Sequence, residues 1–133
     1  MSFQILEIDH VVIRAADLPA MVRFYCDALG CRVEREVPEI GLVQLRAGRS
    51  LIDLLAAGDK TTAGPATDAA RNMDHLCLRV EPFDAAALRA HLARHGATPG
   101  DEARRYGADG YGPSLYLFDP ERNMIELKGP PDA

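Results

Sequence analysis

The chain has no excess of positive charge, no CxxC pair and no apolar run of membrane length, and each absence removes a class of function. A net charge of −5 provides no basic footprint, so nucleic acid is not an expected partner. The three cysteines, Cys26, Cys31 and Cys77, are odd in number and lack the spacing of a disulfide framework. The N-terminus shows neither the basic n-region nor the apolar h-region of a secretory signal. Together these suggest a reducing cytoplasm. No apolar stretch approaches the roughly 18 residues of a membrane span, so a soluble protein without a membrane partner is expected. What is present is ordinary globular material: 133 residues, 47% hydrophobic and 26% charged, enough for one compact domain over residues 1–133 and too short for two of ordinary size.

An internal repeat reorganises the reading. Asp9, His10, Ile13 and Arg14 correspond, at a shift of 65, to Asp74, His75, Leu78 and Arg79. Farther on, "LVQLRAGRSLIDL" (Leu42 to Leu54) lies over "LYLFDPERNMIEL" (Leu115 to Leu127) at a shift of 73 without a gap, which aligns Asp53 with Glu126. The second copy thus carries about eight more residues, and the Gly-rich "YGADGYGPS" is the natural place for them. Two such units read as two halves rather than a solenoid.

Each half has the same expected order. Leu6 to Ala15 alternates and is β-branched, a strand pattern. Asp17 suits an N-cap for a helix reaching Leu29, with Gly30 as its stop and Leu18, Met21, Val22, Tyr25 and Leu29 as its apolar stripe. Strands are expected at Cys31 to Val37, Leu42 to Ala47 and Ser50 to Leu55, the last two joined by a tight turn at Gly48. The second half repeats this with a strand at Met73 to Val80, a helix from Phe83 to His95, and strands at Ala97 to Arg104, Ser114 to Asp119 and Asn123 to Lys128. The modules are thus residues 5–57 and 73–128. Residues 58–72, small, polar and containing Pro and Gly, are the linker.

Strand alternation puts residues of equal parity on one face. His10 then shares a face with Val12 and Arg14, and His75 with Cys77 and Arg79. Asp53 and Glu126 face away from Ile52, Leu54, Ile125 and Leu127, which turn toward the helices. A lone strand histidine usually answers to packing. A repeated histidine with a repeated acid is a different pattern, because two imidazoles and one or two carboxylates suit an open divalent metal site. Two carboxylates buried without a cation or donors are costly.

These segments resemble the vicinal oxygen chelate superfamily, the glyoxalase I, bleomycin-resistance and extradiol-dioxygenase group, over nearly the full chain. The resemblance is carried by "DHVVIRAADL", "FYCDALG", "MDHLCLRV" and "LYLFDPERNMIEL". It implies an α+β fold of two βαβββ modules forming an incomplete eight-stranded barrel around a metal, within a homodimer. It also implies that His10, His75 and Glu126 are metal ligands. Asp53 falls where glyoxalase I-like members carry a glutamate or glutamine; being one methylene shorter, it reaches a metal directly or through water. Arg122 replaces the glycine usual in the family's "DPxGN" turn. The implied cofactor is a divalent ion (Ni, Co, Zn, Mn or Fe).

The implied chemistry is that of a lactoylglutathione lyase-like lyase or isomerase acting on a small oxygenated molecule, such as a thiol adduct. A metal would stabilise an enediolate-type charge, with Glu126 as the first candidate for the catalytic base and Asp53 as the second. An Fe(II) ring-cleaving dioxygenase is an alternative, as is a non-enzymatic ligand-binding protein of the bleomycin-resistance kind. Other residues read more modestly. Gln44 reads as a surface strand residue, and Cys77 as small packing. Arg14 and Arg79 serve either an anionic substrate or salt bridges. His91 and His95 have i, i+4 spacing without an evident third ligand. "RRYGADGYGPS" (Arg104 to Ser114) is either a mobile substrate loop or a connection that turns the chain.

Overall fold

The computed structural model describes residues 4–57 and 73–132; the linker expected at residues 58–72 lies outside them. The first module comprises β1 (His10–Ala15), α1 (Leu18–Arg23) continuing into a π-helical turn at Phe24–Ala28, β2 (Arg32–Val37), a 3-10 turn at Pro38–Ile40, β3 (Leu42–Ala47) and β4 (Ser50–Ala56). The second comprises β5 (His75–Arg79), α2 (Ala85–Arg94), β6 (Thr98–Gly107), β7 (Gly110–Phe118) and β8 (Met124–Lys128). Each module is a compact unit with its own mixed four-stranded sheet, ordered β1-β4-β3-β2 in one and β5-β8-β7-β6 in the other. In both, the opening strand runs parallel to the closing strand, and the remaining pairs are antiparallel. This is the expected βαβββ arrangement, twice.

Local chemistry explains the elements. The Asp17 side chain accepts a hydrogen bond from Ala20 N at 3.1 Å, and Asp84 caps α2 in the same way through Ala87 N. Each cap satisfies one of the donors a helix start leaves free. Gly30 and Gly96 end the two helical segments at φ +79° and +76°, a left-handed conformation that costs glycine little. The apolar stripe of the first helix differs from the expected one. Met21, Phe24, Tyr25 and Ala28 are buried, whereas Val22 and Leu29 are only half-buried. For Leu29 the cause is the change of period at Phe24: Leu29 N reaches back five residues to Phe24 O. The wider π turn rotates later side chains away from a 3.6-residue stripe.

The helix-side face of each sheet carries the apolar residues. In the first module Ile13, Leu45, Ile52 and Leu54 are buried, and in the second Leu115, Leu117, Ile125 and Leu127. Burying each such side chain contributes about 1.5–3 kcal/mol relative to exposure, and this burial fixes which residues face the other way. A one-residue slip of β4 against β1 would turn Ile52 and Leu54 out and bring Asp53 among the apolar side chains.

Three expectations are corrected. The first strand begins at His10 rather than Leu6. "RRYGADGYGPS" is neither a mobile loop nor a bare connection. It extends β6 and β7 into one long hairpin, paired through Tyr106↔Tyr111 and Gly107↔Gly110. The ungapped shift of 73 also fails for β7. In the first module Leu45 pairs with Ile52, and the equivalent pair in the second is Leu117 with Ile125, so β3 maps onto β7 at a shift of 72. The extra residue sits in the turn at Asp119–Asn123, where the Asp119 carboxylate accepts from Glu121 N and Asn123 N and Arg122 adopts φ +65°.

Candidate metal centre

Parallel pairing sets the spacing within each candidate pair. In the first module His10 is in register with Leu51 and Asp53 with Val12, so the histidine and the acid are diagonal neighbours on one face. The second module repeats this: His75 is opposite Met124, and Glu126 opposite Cys77. His75 Nε2 lies 3.0 Å from Glu126 Oε1. His10 Nε2 lies 4.0 Å from Asp53 Oδ2. Each sheet therefore brings together its own histidine and its own acid. Among the described residues no group of three or more His, Cys, Asp or Glu is assembled in metal-binding proximity.

Two residues with no role in the sequence reading complete each pair. His10 Nδ1 is 2.8 Å from Asp9 Oδ1, and His75 Nδ1 is 2.7 Å from Asp74 Oδ2. An ionised carboxylate only accepts, so each Nδ1 carries the proton and each Nε2 is left facing its acid. This carboxylate-to-imidazole bond is how metal-binding histidines are oriented. The signal was in the sequence as the dipeptide Asp-His, present in both halves. In His10 the bond to Asp9 is the main reason the imidazole pKa lies above its ordinary value; desolvation opposes it, and the Asp53 and Asp9 charges reinforce it.

Asp53 is held from the other side. Gln44 Nε2 donates to Asp53 Oδ2 at 3.1 Å, and Arg35 Nη1 donates to Gln44 Oε1 at 3.2 Å. The three residues lie side by side across β2, β3 and β4, in register. Gln44 is therefore not a surface strand residue but the support of Asp53. Counting back from the turn, where Ala47 pairs with Ser50, places Gln44 opposite Asp53 directly.

In the second module the position opposite Glu126 is taken by Tyr116, whose ring lies 5.4 Å from the His75 ring in an edge arrangement. The Arg105 guanidinium stacks over the other side of Tyr116 at 4.0 Å. Cys77 is exposed, yet desolvation of its sulfur and then the Glu126 charge push the thiol up to about 11, which leaves it an uncharged neighbour rather than a nucleophile. Arg79 is salt-bridged to Glu81 and Asp109, so the salt-bridge reading holds for it. His91 and His95 have ring centroids 4.7 Å apart.

Two features fit a divalent cation. Asp53 is 3% exposed, and its Oδ1 has no hydrogen-bond partner among the described residues. An unsatisfied buried polar atom costs about 1–3 kcal/mol, more when charged. In addition, both ring nitrogens of His75 face carboxylates, while a neutral imidazole offers a single N–H. Either an imidazolium, which donates from both nitrogens, or a cation beside Nε2 satisfies both carboxylates. The 3.0 Å separation of Nε2 and Oε1 is the span of two adjacent ligand atoms, each about 2.1 Å from one ion.

Two βαβββ modules, each bringing an imidazole and a carboxylate together from parallel strands, define the class of fold. The chain belongs to the Glyoxalase/Bleomycin resistance protein/Dioxygenase superfamily, whose family model matches residues 7–127. Among solved structures, it is similar to an integron cassette protein from the mobile metagenome of V. cholerae, at 26% identity over 97% of this chain and 98% of that one, with a TM-score of 0.75. It also shares the fold of lactoylglutathione lyase from Agrobacterium tumefaciens, at 20% identity, 92% coverage of each chain and a TM-score of 0.66. The same fold appears in the fosfomycin resistance protein FosX from Listeria monocytogenes, at 15% identity, 96% and 95% coverage and a TM-score of 0.72. No curated protein matches the sequence. No helix among the described residues is long and apolar enough to cross a membrane.

Proposed function

We propose that the protein is a metal-dependent lyase or isomerase of the glyoxalase kind, acting on a small oxygenated substrate. One divalent ion per pair of modules is held by His10, His75, Glu126 and Asp53. The observation that carries the reading is the doubled Asp–His–acid arrangement, with the orphaned Asp53 Oδ1 at its most buried point. Homodimerisation, as implied by the family resemblance, is part of the proposal. The stoichiometry is the same whether the paired modules come from one chain or two.

When bound, the ion supplies Lewis-acid stabilisation of negative charge developing on a substrate oxygen. The chain's own residues do the rest. Asp9 and Asp74 hold the imidazoles with Nε2 outward. Glu126 is engaged by His75 through Oε1, which fits it for holding rather than proton transfer. Asp53 is anchored through Oδ2 by Gln44, while Oδ1 is free of protein hydrogen bonds among the described residues. Oδ1 would exchange between the ion and a proton taken from a carbon next to a carbonyl, which makes Asp53 the first candidate for the base. This reverses the order expected from the sequence, where Glu126 ranked first.

The test is solvent-deuterium exchange into hemithioacetal and α-hydroxyketone substrates by protein reconstituted with Ni, Co, Zn, Mn or Fe. Exchange should require metal. Asp53→Asn should lower it at least 100-fold, within the usual range for a general base of about 10²–10⁴, while keeping the metal bound. Absence of exchange with every metal and substrate would refute the isomerase reading.

A further inference from the structure

The face of the second sheet that carries Glu126 also carries two cations that make no ion pair among the described residues. Lys128, two residues beyond Glu126 on β8, is 5% exposed. Among the described residues its ammonium makes neither an ion pair nor a side-chain hydrogen bond. The strands make room for the side chain. A Cβ at Gly107 would lie 2.8 Å from Lys128 Cε, and one at Gly112 would lie 3.1 Å from Nζ. The side chain thus lies over Gly107 and reaches Gly112, where the Pro130 carbonyl oxygen, 2.6 Å from such a Cβ, comes closer still.

Arg105 is the second cation. It is half-buried, donates through Nη1 to Ser114 Oγ, and is kept flat by Tyr116. Ser114 is fully buried and in register with Lys128. An ammonium, a guanidinium and a hydroxyl therefore converge on one strip of sheet beside Glu126. Arg79, the next cation on this face, is already saturated by Glu81 and Asp109. Arg104, of opposite parity, is paired with Asp132.

We propose that Lys128, Arg105 and Ser114 form an oxyanion subsite beside Glu126, and that the substrate carries a carboxylate or a phosphonate- or phosphate-like group held there. The subsite's role in substrate binding rests on the proposed metal-centred function; its affinity for an anion does not. A carboxylate meets the guanidinium edge in a bidentate manner, and a tetrahedral oxyanion can in addition reach the ammonium and the hydroxyl.

The test is NMR titration of metal-free protein with inorganic phosphate and, separately, with acetate. Saturable shifts are expected at residues around Ser114 and Lys128 with at least one of the two anions, and the anion that binds tells a tetrahedral from a planar group. Affinity should fall at least tenfold in Lys128→Met and in Arg105→Met, and stay within twofold in Arg104→Gln. Lys128→Met removes a buried charge without changing volume greatly. If it fails to fold, Arg105→Met decides the same question. No saturable shift with either anion, or equal affinity in the folded variants, overturns the subsite. Because no metal is present, loss of the metal reading leaves this result untouched.

Discussion

The two modules carry the same motif at different stages of closure. In the second, Glu126 reaches His75 Nε2 at 3.0 Å; in the first, Asp53 stops 4.0 Å short of His10 Nε2. The missing methylene accounts for the direction of the difference. What surrounds each acid accounts for its consequence. Glu126 is backed by an aromatic ring and an arginine stacked on it, whereas Asp53 is tethered by an amide that is itself held by Arg35. The closed pair is suited to holding a cation, and the open pair to leaving one carboxylate oxygen available. Under the proposed function, the twofold repeat has diverged into a binding half and a reacting half.

The largest test of that division is at the histidines. His75→Ala should weaken divalent-ion affinity by about 100-fold or more, because roughly 10–16 kcal/mol of metal binding spread over four ligands leaves roughly 3 kcal/mol for each. His10→Ala, in the open pair, should cost less. Competition with a chromogenic chelator measures both. Equal losses would mean the geometric asymmetry has no energetic counterpart.

A smaller effect is expected when the first module is made to resemble the second. Asp53→Glu adds the missing methylene and should close the gap to His10 Nε2. Ion affinity should rise about tenfold, equivalent to about 1.4 kcal/mol, while proton exchange falls as the free oxygen is consumed. A gain in both would show that Asp53 is not the reacting carboxylate.

The smallest effect lies in the turns. The first module turns at Gly48, with φ +61°; the second places Arg122 at φ +65°, where an L-residue is strained by roughly 1–2 kcal/mol. Arg122→Gly should therefore stabilise the protein, by less than about 1 kcal/mol after the entropy glycine adds to the unfolded chain. Urea denaturation reads this directly. A destabilisation would mean that the contact of the Arg122 guanidinium with Phe118, 5.4 Å from the ring centroid, outweighs the strain.

Much of this was legible in the residues because it rests on parity and period. Alternation set the faces of β1, β4, β5 and β8, and with them the directions of His10, Asp53, His75 and Glu126. What escaped depends on terms that alternation does not contain. The role of Gln44 follows from cross-strand register, which needs the turn to be counted residue by residue. The π turn at Phe24 changes the period inside one helical run, which a 3.6-residue stripe does not contain. The long β6–β7 hairpin is hidden by its glycines, which read as a loop although Gly107 admits the Lys128 side chain and Gly112 the Pro130 carbonyl. Asp9 and Asp74 were visible in the repeat but are individually exposed, and only the distance to each Nδ1 reveals their role.

The most direct measurement is the divalent-metal content of protein purified without a metal-binding tag, beside a His10→Ala, His75→Ala double variant of confirmed fold. The account predicts about one ion per chain in the native protein and none in the variant, as expected if two of four ligands are lost. No metal in either protein, even after incubation with excess ions, would contradict it and leave the two Asp–His–acid arrangements as hydrogen-bonded features of the sheets.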